Sequence, residues 1–90
     1  MSWGVETTRT YTKEDLLAYL NALADEKRYG KVLRAKGIVA GEGGEWIHFD
    51  YIPGEADVRR GSAGIIGRLC VIGSHINKQA LAELFGVTVK

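Results

Sequence analysis

Two strand-like segments of this sequence carry reactive side chains at alternate positions. Arg34, Lys36 and Ile38 share one side of the first, and Trp46, His48 and Asp50 share one side of the second. Successive side chains of a β-strand point to opposite faces, so each triplet lies on a single face. The glycine-rich turn at residues 41–44 joins the segments into a β-hairpin. One sheet face therefore gathers two cations, an imidazole, a carboxylate and an indole. Three kinds of chemistry suit such a set. His48 and Asp50 are both metal-ligating types, but two ligands do not close a site, and His75 joins them only if the fold brings its turn there. Trp and Arg are favoured anchors of protein interfaces. A solvated sheet face with cross-strand charge pairs needs the same residue types.

Other catalytic constellations fail on spacing. No GxSxG elbow occurs, and Cys70 has no second cysteine near it. The glycines at 41, 43 and 44 are followed by a strand rather than by Lys-Ser or Lys-Thr and a helix, so they read as hairpin glycines, not a phosphate loop. Gly61 and Gly64 also lack the lysine and helix of a nucleotide loop. Arg59 and Arg60 read as a solvated loop pair. Base-stacking sheets carry aromatic residues at alternate positions of two central strands. Here Arg34, Ala35, Lys36 and Gly37 occupy those places, and Trp46 alone is too little, so nucleic acid is not an expected partner.

The elements that must position this face are legible around it. Residues 3–11 alternate and are rich in threonine and aromatics, which favours a strand. Thr12 caps a helix through the backbone of Asp15, with Glu14 and Asp15 at its positive end. Leu16, Leu20 and Leu23 form its apolar stripe, widened by Leu17 and Ala24. That helix frays over 25–28 and ends before Gly30. Residues 31–40 form the first hairpin strand and 45–52 the second, ended by Pro53 and Gly54. Within the hairpin, Leu33, Ala35, Gly37 and Val39 on one strand, and Ile47, Phe49 and Tyr51 on the other, should face the helices. Residues 55–67 read as a polar loop, with a short strand at most around 56–59. Residues 69–72 form the last central strand, in which Cys70 is a small packed hydrophobe. Asn77 caps a second helix with Ala80, Leu81, Leu84 and Phe85 on its apolar side. Ile76 staples against Leu81, and Gly86 stops the helix. Residues 87–89 suit an edge strand.

These elements imply an α+β, two-layer sandwich with a mainly antiparallel sheet of four to five strands. Two helices cover one face in a ferredoxin-like arrangement, as a single domain over residues 1–90. With 46% apolar residues, the chain of 90 residues is not disordered. Its 12 Lys and Arg nearly balance 11 Asp and Glu, leaving no long-range field to gather nucleic acid or an anionic membrane. No apolar run approaches the ~20 residues of a bilayer span. The first residues lack the basic and apolar regions of a signal peptide. A single cysteine fits a reducing cytoplasm. Because the chain begins directly in a strand, a domain cut from a longer protein is expected.

Three pieces in this order resemble one family. They are residues 9–17 entering the first helix, residues 32–37 with Leu33, Arg34, Ala35, Lys36 and Gly37, and residues 69–73 before a helix containing Ala80 and Leu81. Together they are similar to the CobW C-terminal domain, and Arg60 also resembles an arginine of that pattern. The resemblance implies a domain that follows a GTP-binding domain in metallochaperone-type proteins linked to cobalamin synthesis and to cobalt or zinc handling. It implies contacts with that N-terminal GTPase domain or with a metal-receiving client, not catalysis. The P-loop and cysteine-rich metal motif of such proteins are absent from these residues, so no cofactor is expected in this domain. Arg34, Lys36, Trp46, His48 and Asp50 are the expected contact surface. The rival reading is a stand-alone metal- or ligand-binding protein using His48, Asp50 and His75, and a truncated enzyme completed by a partner chain ranks third.

Overall fold

Alternation in the sequence becomes a sheet in the computed structural model, which describes residues 1–87. The elements run β1 (Ser2–Thr7), β2 (Thr10–Tyr11), α1 (Lys13–Ala22), α2 (Glu26–Tyr29), β3 (Lys31–Gly41), β4 (Trp46–Ile52), β5 (Glu55–Gly61), β6 (Gly67–Ser74) and α3 (Lys78–Phe85). The strand order is β1-β6-β3-β4-β5 with antiparallel neighbours, and the short β2 pairs in parallel with the end of β3. The helices pack on one face, giving the expected α+β architecture of two layers.

Each helix begins where its cap requires. Thr12 accepts from the Asp15 backbone N–H at 3.1 Å, and Asn77 accepts from that of Ala80 at 3.0 Å. Leu16, Leu20 and Leu23 are buried as their spacing demands. Leu17 is 43% exposed and Ala24 is also exposed, so neither widens the stripe. The expected fraying over 25–28 is instead a second short helix, with Asp25 accepting from the Arg28 N–H. The core centres on stacked rings. Phe85 of α3 lies 6.2 Å from Trp3 and 6.3 Å from Phe49, both nearly parallel to it, while Tyr19 meets it edge-on at 5.8 Å. Two residues before α1 clasp the far end of α3. The buried Tyr11 hydroxyl donates to the Phe85 carbonyl at 2.6 Å, and Arg9 donates to that of Gly86 at 3.2 Å. These carbonyls are among those a helix C-terminus leaves without intrahelical partners. Burial pushes the Tyr11 phenol up to about 12, against a smaller opposing effect of Arg9.

Other expectations are corrected as well. The strand read over 3–11 is broken after Thr7, where the Arg9 N–H turns to the Thr7 hydroxyl. The segment read as a loop over 55–67 holds a full seven-residue strand, β5, whose Ala56 and Val58 pack on the core. Leu33 does not face the helices: a β-bulge between Val32 and Arg34 puts Val32 and Ala35 inward and leaves Leu33 49% exposed. Cys70 is only partly buried and lies on the face away from the helices, between Gly4 and Lys36. The edge strand expected at 87–89 has no strand at Val87 and otherwise lies outside the described residues.

Candidate functional site

With both main helices on one side, the other side of the sheet carries the alternate residues of every long strand. Register makes neighbours of the predicted set: Lys36 stands opposite Asp50, Ile38 opposite His48, and Ala40 opposite Trp46. Strand β5 extends this surface with Arg59 opposite His48 and Asp57 opposite Asp50. Strand β6 adds Cys70 beside Lys36 and Ile72 beside Arg34. The structure therefore brings Lys36, Trp46, His48, Asp50 and, past the bulge, Arg34 onto one face.

Charge on this face is organised around Asp50. Its carboxylate receives Arg34 at 3.5 Å and Arg59 at 3.1 Å, and Arg59 also reaches Asp57 at 2.6 Å. The hydrogen bond to Asp50, followed by that to Asp57, raises the Arg59 guanidinium above its ordinary value. Arg68 pairs with Glu6 at 3.1 Å, and Arg60 with Glu45 at 3.3 Å. All these groups are well exposed, so each pair contributes little to stability.

Residues 62–66 cross back over the sheet before β6. His48 Nε2 lies 2.9 Å from the Ser62 carbonyl, a bond in which the imidazole donates. Gly64 lies against Trp46 and Ile38. Gly61 makes room for this arrangement, because a Cβ there would collide with the His48 ring. Under this strap is a groove of about 550 Å³ lined by Lys36, Ile38, His48, Asp50, Ile65 and Cys70, among others. Ile65 is fully exposed, and Ile38, Ile52 and Ile72 are each more than a third exposed.

The metal-ligating residues are arranged less favourably. Asp50 is engaged by two arginines and His48 by a carbonyl. His75 sits past Ser74, which pairs with Lys31 at the opposite end of β3, and its Nδ1 is 3.0 Å from the Ser74 hydroxyl. Among the described residues no cluster of three His, Cys, Asp or Glu is placed to hold a metal ion, and no helix is long and apolar enough to cross a membrane. Sequence reasoning missed Asp57, Arg59, Arg68 and Ile72 as members of this face. The alternation of Ala56 and Val58 after the Pro53–Gly54 turn was the available signal for the first two.

A helix-backed, mainly antiparallel sheet with one open, charged and partly apolar face defines a small two-layer α+β domain. The model of the cobalamin synthesis protein cobW C-terminal domain matches residues 1–88, and the chain belongs to that family. No curated protein matches significantly. Among solved structures, the Zn(II)-bound YjiA GTPase from E. coli superposes with a TM-score of 0.73 over 98% of this chain at 18% identity. A Zn(II)-bound triple mutant of YjiA GTPase superposes with a TM-score of 0.75 over 94% of this chain, also at 18% identity. The chain spans 29% and 28% of those two structures. At that identity the likeness establishes the fold.

Proposed function

We propose that this chain acts as the accessory C-terminal domain of a CobW-like GTPase linked to cobalamin synthesis or to cobalt or zinc handling. It works through contacts with the N-terminal GTPase domain, or with a client that receives the metal, rather than through catalysis. The observation that carries this reading is the open sheet face, where the Trp46 indole and exposed isoleucines lie among the charges of Arg34, Lys36 and Asp50. Tryptophan and arginine are among the residues that most often anchor a protein interface. Family membership over nearly the whole chain supports it, as does the small share of each GTPase structure that the chain spans. In this reading the domain carries no cofactor of its own, and its single free cysteine suits a reducing cytoplasm. The metal-binding alternative is the weaker one, since the Asp50 carboxylate already serves Arg34 and Arg59.

The test is an NMR titration of the isotopically labelled chain with a CobW-family GTP-binding domain supplied in trans. Saturable shifts should cluster on Arg34, Lys36, Trp46 and His48, and Trp46→Ala should weaken binding about tenfold or more, as for a central aromatic anchor. Shifts confined to the helical face, or none at all, would sink the proposal. Zinc or cobalt(II) added alone, giving saturable shifts at His48 and Asp50, would favour the metal-binding alternative.

A further inference from the structure

The groove beneath the 62–66 strap has a chemistry of its own. Its volume of about 550 Å³ lies within the ordinary range of binding pockets. Ile38, Ile65 and Ile66 give it apolar walls, while Lys36 and Cys70 stand side by side on adjacent strands. The other cations of this face are matched: Arg34 and Arg59 by Asp50 and Asp57, and Arg68 by Glu6. Lys36 has no acidic partner among the described residues, because the carboxylate opposite it is held by the two arginines. An ammonium without a counter-charge between apolar walls selects an anion that brings apolar surface with it. It is a compact point charge, suited to a single carboxylate, and no free guanidinium fork stands beside it for planar, bidentate recognition of a phosphate.

We infer that this groove receives a short acidic-apolar segment of a partner protein. An Asp or Glu of that segment sits on the Lys36 ammonium, and a neighbouring aliphatic side chain lies against Ile38 and Ile65. The inference rests on the docking role proposed above and adds the chemistry of what docks.

Cys70 supplies a built-in probe, because its thiol lines the same groove. The chain would be incubated under mild reductant with equal amounts of disulfide-activated Leu-Asp-Leu, Leu-Asn-Leu and Leu-Lys-Leu peptides, and the mixed disulfides at Cys70 counted by intact mass. The Asp peptide should be captured about tenfold over the Asn peptide, the scale expected for one charge-assisted hydrogen bond, and the Lys peptide least. Lys36→Gln should abolish the preference and Lys36→Arg should keep it. Equal capture of the Asp and Asn peptides, preference surviving in Lys36→Gln, or no capture of any peptide would each overturn the inference. If the preference holds while the GTP-binding domain fails to shift this face, the docking role falls and the groove's selectivity stands. If the domain docks but the peptides show no charge preference, only the groove assignment falls.

Discussion

Gly37 offers a test in which two well-understood effects oppose each other and the structure decides the sign. It lies in central strand β3, opposite Phe49 on one side and Leu69 on the other. Its φ is not positive, so alanine can adopt the same backbone. On conformational entropy alone, Gly37→Ala would therefore stabilise the fold by about 0.4–1 kcal/mol. The added methyl, however, would stand 2.5 Å from the Arg68 carbonyl oxygen and 2.5 and 2.6 Å from Cε2 and Cζ of Phe49. Neither neighbour can yield easily. The carbonyl belongs to the β3–β6 ladder, and the Phe49 ring is stacked on Phe85, itself stacked on Trp3. Overpacking of a closed core costs about 1–3 kcal/mol. The steric effect wins, leaving a net loss of about 1–2 kcal/mol once the entropic gain is subtracted. Urea unfolding followed by tryptophan fluorescence should show a lower midpoint with an unchanged slope, and near-UV circular dichroism should report a disturbed Trp3–Phe85–Phe49 stack. Gly4→Ala is the matched control: its added methyl meets only the Leu69 carbonyl oxygen, at 3.7 Å, so it should be neutral or stabilising. A Gly37→Ala variant as stable as the parent chain would refute the reasoning.

Two further outcomes follow from the ends of α3. Tyr11→Phe removes the hydroxyl that serves the Phe85 carbonyl and should cost about 1–2 kcal/mol at neutral pH. Because the folded-state pKa of Tyr11 is raised, its contribution is complete below pH 10 and declines as pH rises from 10 through about 12, so the stability gap to Tyr11→Phe should narrow in that window. Asn77→Ala deprives the Ala80 N–H of its acceptor and should lower stability by about 1 kcal/mol in the same urea assay, without moving the midpoint's dependence on pH above 10.

Much of this architecture is readable because each local signal has a direct physical cause. Thr12 and Asn77 announce their helices through capping chemistry that acts within three residues, and the hairpin follows from period-two alternation around glycines. The grouping of Lys36, Trp46, His48 and Asp50 on one face was legible for the same reason: a residue's side of a strand depends only on counting. Counting fails where the backbone adds a residue, and the bulge at Leu33 is that case, because it is set by pairing with the distant β6 rather than by neighbours in sequence. Strand β5 was hidden by its polarity. Glu55, Asp57, Arg59 and Arg60 resemble loop composition, yet an edge strand with one solvated face needs only Ala56 and Val58 to pack. Cys70 looked like a core residue within an apolar run, but an open sheet face accepts such a run on both its sides. The strap over the groove depends on the His48–Ser62 contact and on Gly64 reaching Trp46, and no local pattern encodes either.

The position of β6 also bears on how the molecule assembles in time. This strand, the last in sequence among those described, lies between the first and the third, and the register of β1 joins Ser2 to Ile72 across most of the described residues. The β3–β4–β5 meander can zip through short loops on the microsecond scale of hairpins, whereas β1 has no neighbour to pair with until β6 has been added to β3. Closing that long loop is the entropically costly event, which marks β1 as a late-docking strand. A nascent or partly opened chain would then expose both the unpaired rim of β3 and the Trp3 side of β1, two surfaces suited to a chaperone or to exchange with a second copy.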